Sequence, residues 1–475
     1  MSLEGRLHPL GVLVLARRYV GAGLLPVVVL VISGGTRVIA VVLLGLLVAL
    51  GVAVLAWSRF RYRVAGGRLE LHSGVLSRNV RTIPLDRVRG VVVTAPFLHR
   101  LLGLVKVEVE AAAGGGSKAE LSLPAVSVAQ AEALREALLG APTAQEREDE
   151  PAPLYRATPA LLCLGGVTSL SYLLAPAAAV GVIANLADDL PGGLLERAGQ
   201  AAADRAPSDA LGIALLAAAA VALVLLMAAA GSLLVDWRFT LVDEGERLRA
   251  VRGLLTRRIV VLDRDRIRGA DVRDTPLRRP FRVVSVTAIA AGVGGRSGGT
   301  TLAPLLPTAA APDLLRAVDP EAPDPAAALT AHPPAGRRRR LLRALPLPLA
   351  VLAAAVAFVS PWAIAIALVL SALATGLALD RHRQLGHRFD GRRLVLREGS
   401  LRRRWSEVDP AGAVAFELRS SPGQRRAGLC TLVVHLGQGA GSRRALDAGD
   451  GQAAALLGAL DPHLLGPLVA SGPRD

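Results

Sequence analysis

One short stretch has the residue types and spacing of a hydrolase nucleophile, GRSGG at 295–299. In a nucleophile elbow the serine sits on a strained turn between a strand and a helix, and its acid and histidine partners follow later in the chain. Here the stretch joins two segments with the pattern of strands, and the corresponding loops at 111–118 and 435–444 are equally rich in glycine without the motif. The spacing therefore favours a hairpin turn over a catalytic serine.

Histidine and cysteine often bind metals, but their spacing in this sequence gives no ligand set. His382 and His387 are close in sequence and flank the end of an apolar run, which indicates surface roles. Cys163 lies inside an apolar run and Cys430 in a strand-like run, so both are expected to stay reduced. We therefore predict no catalytic residue, no metal site, no cofactor and no enzymatic activity.

Arginine supplies most of the charge that could bind a partner. Lysine and arginine number 55 against 39 acidic residues, a net charge of +16, and lysine occurs only at Lys106 and Lys118. Near an anionic membrane each basic residue contributes ~1 kcal/mol, so arginine clusters could contact lipid or an acidic protein. Aromatic residues make up only 3% of the chain, too few for the base stacking that a nucleic-acid partner requires. The predicted membrane-surface or partner contacts are Arg78, Arg81, Arg87, Arg89, Arg257, Arg258, Arg266, Arg268, Arg337, Arg338, Arg339 and Arg340.

Long apolar runs come in three pairs. A helix needs roughly 20 apolar residues to cross a ~30 Å hydrocarbon core, and no carboxylate interrupts the runs. About six membrane-spanning helices in three hairpins are therefore expected, and the missing carboxylates argue against a proton-coupled transporter. The runs are 19–33 with 38–57, 158–187 with 210–235, and 344–360 with 362–379.

Arginine placement predicts which side of the membrane the polar regions face. Arginines such as Arg59 and the run 337–340 flank the apolar runs on one side, whereas the opposite loops carry Arg37 or a net acidic set. Loops rich in arginine face the cytoplasm, so both termini and the charged domains are expected there. Trp57 and Trp237 stand just before arginines at the ends of their hairpins, as interfacial anchors do.

One unit, dense in arginine and regular in valine and leucine, occurs three times between and after the hairpins. Strict alternation, as in GLVKVEVEA at 103–111, predicts strands with one buried face. Each copy continues through a Gly-rich turn into a helix, in the first copy with Ser127 as a candidate N-cap. This order predicts α+β domains, each a small antiparallel β-barrel capped by a C-terminal helix. The copies are RLELHSGVLSRNVRTIPLDRVRGVVV at 68–93, RLRAVRGLLTRRIVVLDRDRIRGADV at 247–272 and, more loosely, RLVLREGSLRRRWSEVDPAGAVAFEL at 393–418.

The runs and repeats together predict an alternation of membrane hairpins and cytoplasmic domains. Two linkers rich in proline or acidic residues separate the modules and are not expected to pack. The expected segments are a first hairpin within 1–57, a domain at 58–140, a linker at 141–156, a second hairpin at 157–235, a domain at 236–318, a linker with the arginine run at 319–340, a third hairpin at 341–379, a divergent domain at 380–461 and a tail at 462–475.

The first copy has the order R-L-x-L-x-x-G-x-L-x-R, then I-P-L-D-R-V-R, then PFLHRLLGL at 96–104. This order resembles the bacterial PH-like domain of the second type (bPH2, DUF304), and three copies that each follow a membrane hairpin resemble the YdbT-type membrane proteins of bacteria. The second copy lacks the glycine of the RLLGL element, and the third has DPAGAV in place of LDRVR. The resemblance implies a PH-like barrel, membrane residence and no established enzymatic activity.

The resemblance does not imply phosphoinositide binding. Lipid-binding PH domains of eukaryotes gather basic residues around the turn that joins their first two strands. The corresponding turns are AGG at 65–67, VDEGE at 242–246 and FDG at 389–391. They are short, and the second is acidic, so it would repel an anionic headgroup.

These features predict a non-enzymatic, multi-pass protein of the bacterial cell membrane whose cytoplasmic PH-like domains bind or scaffold lipid or protein partners. The expected partners are the bilayer itself, anionic lipid headgroups or another membrane protein, including a smaller PH-like membrane protein or a second copy of this chain. The alternative is a transporter, or an accessory subunit of one, that uses a six-helix bundle as its pathway.

Overall fold

The computed structural model divides the chain into two compact units, Met1–Asp263 and Arg264–Asp475. The boundary falls inside the second sequence repeat. The structure describes residues 3–21, 36–74, 79–111, 121–139, 153–185, 200, 207, 209–290, 301–357, 361–437 and 441–461.

The first unit contains apolar helices and two antiparallel sheets. Its helices are α1 (Gly11–Gly21), α2 (Thr36–Arg59), α3 (Phe97–Leu101), α4 (Val128–Leu139), α5 (Pro159–Val167), α6 (Leu170–Asn185) and α7 (Ala210–Asp236). Its strands are β1 (Leu3–Arg6), β2 (Arg61–Ala65), β3 (Arg68–Ser73), β4 (Asn79–Pro84), β5 (Val88–Ala95), β6 (Leu104–Ala111), β7 (Leu121–Ser127), β8 (Pro153–Arg156), β9 (Thr240–Asp243), β10 (Arg247–Arg252) and β11 (Arg257–Asp263).

Strands from two sheets form the first PH-like domain. The sheet β1-β2-β3-β4 and the strands β5–β7 share one core with α4. Leu69, Val91, Val107 and Leu134 are fully buried in that core, and each contributes ~1.5–3 kcal/mol by leaving water. The alternation of apolar and polar residues in GLVKVEVEA predicted the buried face of β6 correctly, since Val105, Val107 and Val109 are buried.

The helix α4 begins at a capping box. The hydroxyl of Ser127 accepts a hydrogen bond from the Gln130 backbone N–H at 3.2 Å, and the Gln130 side chain accepts one from the Ser127 N–H at 3.1 Å. These two bonds satisfy N–H groups that the first turn of a helix leaves unpaired. The N-cap predicted at Ser127 is confirmed.

The larger sheet of the first unit joins two sequence repeats. Its strand order is β7-β6-β5-β11-β10-β9-β8, so β5 of the first repeat lies beside β11 of the second. The two strands pair antiparallel, with Val92 opposite Val260. The sheet thus continues across the repeat boundary, whereas the sequence predicted a separate barrel for each repeat.

The second unit repeats the seven-stranded sheet one repeat later and adds a sheet of three strands. Its sheets have the orders β14-β13-β12-β18-β17-β16-β15 and β19-β20-β21. The strands are β12 (Ile267–Asp274), β13 (Val283–Ala290), β14 (Thr301–Pro307), β15 (Thr330–Ala331), β16 (Gly386–Phe389), β17 (Leu394–Glu398), β18 (Arg403–Val408), β19 (Ala413–Arg419), β20 (Leu429–Leu436) and β21 (Ser442–Gly449). The helices are α8 (Ala311–Val318), α9 (Pro334–Ala344), α10 (Pro346–Ala357), α11 (Pro361–Arg383), α12 (Pro422–Arg425) and α13 (Asp450–Leu460).

The prediction of about six membrane-spanning helices is wrong. In the part of the chain that the structure describes, two helices are long and apolar enough to cross a membrane, α7 with 27 residues and α11 with 23. A third span arises only if α5 and the start of α6 count as one, and these are bent by 68°. The helix α10 has 12 residues, short of the roughly 20 that a span needs.

The break between α5 and α6 has a local cause. The Thr168 hydroxyl donates to the Leu164 carbonyl at 2.6 Å, a bond that commonly bends helices. Gly166 lies so close to α7 that a Cβ atom there would be 2.2 Å from the Ala228 carbonyl oxygen. Close packing through a small residue is typical of helices that associate in membranes. Here it places the nine-residue helix α5, which is too short to span a membrane, against α7.

A buried ion pair marks the junction between the second and third repeats. β12 pairs with β18, and Asp271 lies opposite Ser406. The buried Asp271 carboxylate accepts hydrogen bonds from the Ser406 hydroxyl at 2.6 Å and from two nitrogens of Arg443 at 3.0 and 2.9 Å. Burial alone raises the pKa of this carboxyl, but Arg443 and Ser406 outweigh burial and hold the pKa below its ordinary value.

We expect Asp271→Ala to lower the free energy of unfolding by ~3–5 kcal/mol, because it leaves the Arg443 guanidinium buried without this carboxylate. The matched control is Asp313→Ala, which removes an exposed pair with Arg316 at 3.2 Å and should cost less than ~1 kcal/mol. Chemical denaturation of the detergent-solubilised protein measures both. Equal costs for the two variants would contradict the structural role of the buried pair.

Candidate anion-binding site

The predicted arginine contacts of the first two repeats lie on different parts of the fold. Arg81 is exposed on β4, and Arg87 is exposed in the short turn of helix at Leu85–Arg87. Arg257 and Arg258 lie on β11, in the other sheet of the first unit. Of the remaining positions, Arg78 and the side chain of Arg89 lie outside the described residues.

In the second unit, Arg266 closes a similar helical turn, Arg264–Arg266. Arg268 follows it on β12 and forms an ion pair with Asp409 at 3.3 Å. The predicted contacts of the first two repeats therefore lie on two sheets of the first unit and around the start of β12 in the second. Their role at the membrane or towards a partner stays a prediction.

The arginine run 337–340 divides between the surface and the interior. Arg337 and Arg338 are exposed on α9, whereas Arg339 and Arg340 form ion pairs with Asp447 at 2.5 and 2.7 Å. Burial lowers the pKa of Arg340, and the Asp447 carboxylate partly offsets that effect. Half of the run therefore fixes α9 to β21.

Asp447 is held in an unusual backbone conformation at the centre of this contact. Its φ is +55°, in the left-handed region that side chains other than glycine seldom adopt. Its carboxylate also accepts a hydrogen bond from the Gln424 side chain at 3.0 Å. Gln424 in turn forms the capping box of α12 with Ser421, and the Ser421 hydroxyl accepts from Arg339 at 3.2 Å. Strain of this kind persists where the surrounding contacts over-determine the conformation.

A cavity of about 710 Å³ opens beside this cluster at the C-terminal end of α11. Arg343, Arg381 and Arg402 line it together with the pair Arg339 and Arg340. We call this cavity the arginine pocket. Its apolar wall consists of Ala344, Ala374, Leu377, Ala378, Leu401 and Leu446.

The arginine pocket has a strong excess of positive charge. Five arginines face a single carboxylate, Asp447, which already pairs with Arg339 and Arg340. Among the described residues, Arg343, Arg381 and Arg402 are exposed and have no carboxylate at ion-pair distance. Guanidinium groups match the geometry of phosphate and carboxylate oxygens. The pocket is therefore suited to a ligand with an anionic group and an apolar part.

A buried histidine pair supports the strand that carries Asp447. His387, predicted at the surface, is only 6% exposed, and its Nδ1 lies 3.0 Å from Nε2 of His332. Nδ1 of His332 lies 2.7 Å from the carbonyl oxygen of Leu446. A carbonyl only accepts, so Nδ1–H of neutral His332 donates to it, and Nε2 accepts from His387. The two histidines are 55 positions apart in the sequence, so no local pattern could predict their contact.

Metal chemistry has no support at these positions. Among the described residues, no group of three or more His, Cys, Asp or Glu side chains is arranged to hold a metal ion. Burial lowers the pKa of His332 to about 4 and also lowers the pKa of His387. The pair is therefore neutral in the folded protein at neutral pH.

The two predicted interfacial tryptophans lie at the ends of helices. The indole N–H of Trp57 donates to the carbonyls of Leu7 and His8 at 3.0 and 3.1 Å. Trp237 is the residue that caps the C-terminal end of α7. Their role as membrane anchors stays a prediction.

We expect the protein to lose stability as the pH falls from about 6.5 towards 4. Unfolded histidine takes up a proton near pH 6.5, whereas folded His332 resists protonation until about pH 4, so acid favours the unfolded chain in that window. His332→Asn keeps a donor for the Leu446 carbonyl and should flatten the fall in melting temperature. His72→Asn, at a partly exposed position, should leave the fall unchanged. The same pH dependence in both variants would contradict the assignment.

Comparison with known proteins agrees with the repeats and the fold. The family model described as Bacterial PH domain matches residues 18–141, 194–322 and 344–459. The chain is 25% identical over 298 residues to the UPF0699 transmembrane protein YdbT of Bacillus subtilis (strain 168). That similarity covers 57% of this chain and 58% of the relative, so it spans little more than half of the relative's length. No solved structure matches the chain.

The matches confirm the resemblance that the sequence motifs predicted. Neither the family description nor the relative's name is that of an enzyme, and the relative is named as a transmembrane protein. Two long apolar helices agree with membrane association. The three matched segments cover most of the chain, and the chain therefore belongs to the bacterial PH domain family.

Proposed function

We propose that the protein is a non-enzymatic membrane protein that binds anionic phospholipid at the cytoplasmic face of the bacterial cell membrane through the arginine pocket. The observation that carries this proposal is the position of the pocket at the C-terminal end of α11, one of the two described helices long enough to cross a membrane. A lipid headgroup beside such a helix lies at the depth of the interface.

The lining of the pocket supports a lipid as the ligand. Arg343, Arg381 and Arg402 offer several N–H donors to a phosphate, and each charge-assisted hydrogen bond is worth ~1.5–3 kcal/mol. Leu377 and Leu401 line the same cavity, so an acyl chain could lie against them while the phosphate contacts the arginines. A small soluble anion would use only the first of these surfaces.

The distribution of arginine supports the cytoplasmic side. α11 ends in Arg381, His382 and Arg383, and α9 carries the arginine run beside it. Arginine and lysine accumulate on the cytoplasmic side of membrane spans. The PH-like domains adjoining these helices would then lie at the inner membrane face, as the sequence predicted, where they could hold partners next to the bound lipid.

We expect the double variant Arg343→Gln with Arg402→Gln to bind phosphatidylglycerol or cardiolipin at least about tenfold more weakly than the wild type. It loses charge-assisted hydrogen bonds to the phosphate, and a loss of about 1.4 kcal/mol already weakens binding tenfold. Native mass spectrometry of the full-length protein, purified in detergent and titrated with these lipids, measures the bound fraction. Phosphatidylcholine, which carries no net charge, should bind equally weakly to both proteins.

The matched control removes the same charge outside the pocket. Arg337→Gln with Arg338→Gln changes two exposed arginines of α9 that do not line the cavity, and it should retain lipid like the wild type. Equal loss in both double variants would mean that net charge alone attracts lipid. Retention of anionic lipid by the pocket variant would overturn the proposal.

Reporter fusions test the sidedness. We expect alkaline phosphatase inserted after Gln200, in the segment between α6 and α7, to be active because that segment should lie outside the cytoplasm. The same enzyme inserted after Val318, at the end of α8 and separated from Gln200 by α7 alone, should be inactive, whereas a green fluorescent protein there should fluoresce. The reverse pattern would contradict the proposed orientation.

A further inference from the structure

Two outer strands of the fold are equivalent to strands that are paired elsewhere in the same chain. In the described part of the chain, β4 is the last strand of the sheet β1-β2-β3-β4, and β19 is the outer strand of β19-β20-β21. In the alignment of the three sequence repeats, β4 corresponds to β11 and β18, and β19 corresponds to β5 and β12. Two strand pairs of this kind form between repeats, β5 with β11 and β12 with β18, and we call them the filled junctions. Within the described chain, β4 and β19 are the equivalent strands that do not pair in this way.

The two filled junctions have the same register. In the first, Val92 lies opposite Val260 and Gly90 opposite Leu262. In the second, the equivalent residues lie opposite each other, Asp271 against Ser406 and Gly269 against Val408. Sheet register follows the pattern of buried residues, and this agreement means that both junctions satisfy one rule of pairing.

Apolar side chains of the outer strands are more exposed than their equivalents at the junction of β12 with β18. Val80 on β4 is 47% exposed, whereas the equivalent Trp405 on β18 is 7% exposed. On β19, Leu418 is 45% and Val414 73% exposed. An exposed apolar strand at a sheet edge is a template for pairing with another chain. Such an edge therefore needs either protection or a partner.

We propose that β19 of one copy pairs antiparallel with β4 of a second copy of this chain, in the register of the two internal junctions. That register brings Glu417 opposite Arg81 and Leu418 opposite Val80. The first pair joins opposite charges and the second joins two exposed apolar side chains, and both kinds of pair stabilise a cross-strand contact. Within its own sheet Glu417 also contacts Arg419 and His435.

The central pair of each junction has matched chemistry. It is Val92 with Val260 in the first junction and Asp271 with Ser406 in the second. The pair of Glu417 with Arg81 would occupy the equivalent place between copies. A strand that carries the complement of an edge elsewhere on the same chain makes a head-to-tail contact, which closes into a ring or extends as a filament. A second copy is the occupant that supplies both complementary edges.

Disulfide trapping in native membranes tests this register. One tagged copy carries Val80→Cys and a second, differently tagged copy carries Leu418→Cys, both in a background with Cys163→Ala and Cys430→Ala. Oxidation should give a cross-linked product that contains both tags. Val80→Cys with Val414→Cys is the control, because it is four residues out of register and its sulfurs would lie about 14 Å apart along the strand.

The proposal is overturned if the in-register pair gives no mixed product, or if both pairs cross-link to the same extent. A cross-link of the Val80→Cys copy to a different protein alone, or within one chain alone, would also overturn a second copy as the occupant. A charge exchange provides an independent measurement by native mass spectrometry. Glu417→Lys should reduce the oligomer at least severalfold, and Glu417→Lys combined with Arg81→Glu should restore it; failure of the double variant to recover the oligomer contradicts the pairing.

Discussion

The backbone N–H and C=O groups along the edge of a strand need partners, and in this chain the next repeat supplies them. β5 of the first repeat pairs with β11 of the second, and β12 of the second pairs with β18 of the third. This pairing explains why the boundary between the two compact units falls inside the second repeat. Its strands β9–β11 complete the sheet of the first unit, and β12–β14 begin the sheet of the second. The strands of the three repeats thus form two seven-stranded sheets that each join neighbouring repeats. The strands β1–β4 at the start of the chain and β19–β21 at its end form smaller sheets of their own.

The two junctions share a register but differ in chemistry. Val92 and Val260 make the first junction apolar, and an apolar contact tolerates many partners. The second junction places Asp271 against Ser406 and Arg443. A buried carboxylate is stable only with its full set of donors, so β12 is satisfied by β18 and would be poorly satisfied by β11. The buried ion pair thus distinguishes strands that are otherwise similar in sequence.

The sequence predicted the local structure well because local structure leaves local signals. Alternation marked the strands, Ser127 marked a helix start, and the arrangement of motifs identified the family. Long-range neighbours left no such signal. The pairing of β5 with β11 depends on which edge is free, and the contact of Arg340 with Asp447 joins residues that are far apart in the chain.

The membrane spans were over-counted for a related reason. Hydropathy over a window registers apolar letters, but it does not register the bend after Thr168 or the short length of α10. The arginine run was predicted as one surface because the charge of a residue does not show whether its side chain will be buried. Burial beside Asp447 separates Arg339 and Arg340 from their exposed neighbours. The pocket that results required the fold to bring α9, α11 and β21 together.

The continuity of the sheets also has a consequence for biosynthesis. When the ribosome has completed β5, the strand that will cover its edge has not yet been made, and the long apolar helix α7 must be synthesised first. At about 5–20 residues per second, this delay is on the order of ten seconds. The nascent first domain therefore waits with an open edge while α7 is synthesised, so synthesis of this apolar helix always precedes completion of the first large sheet.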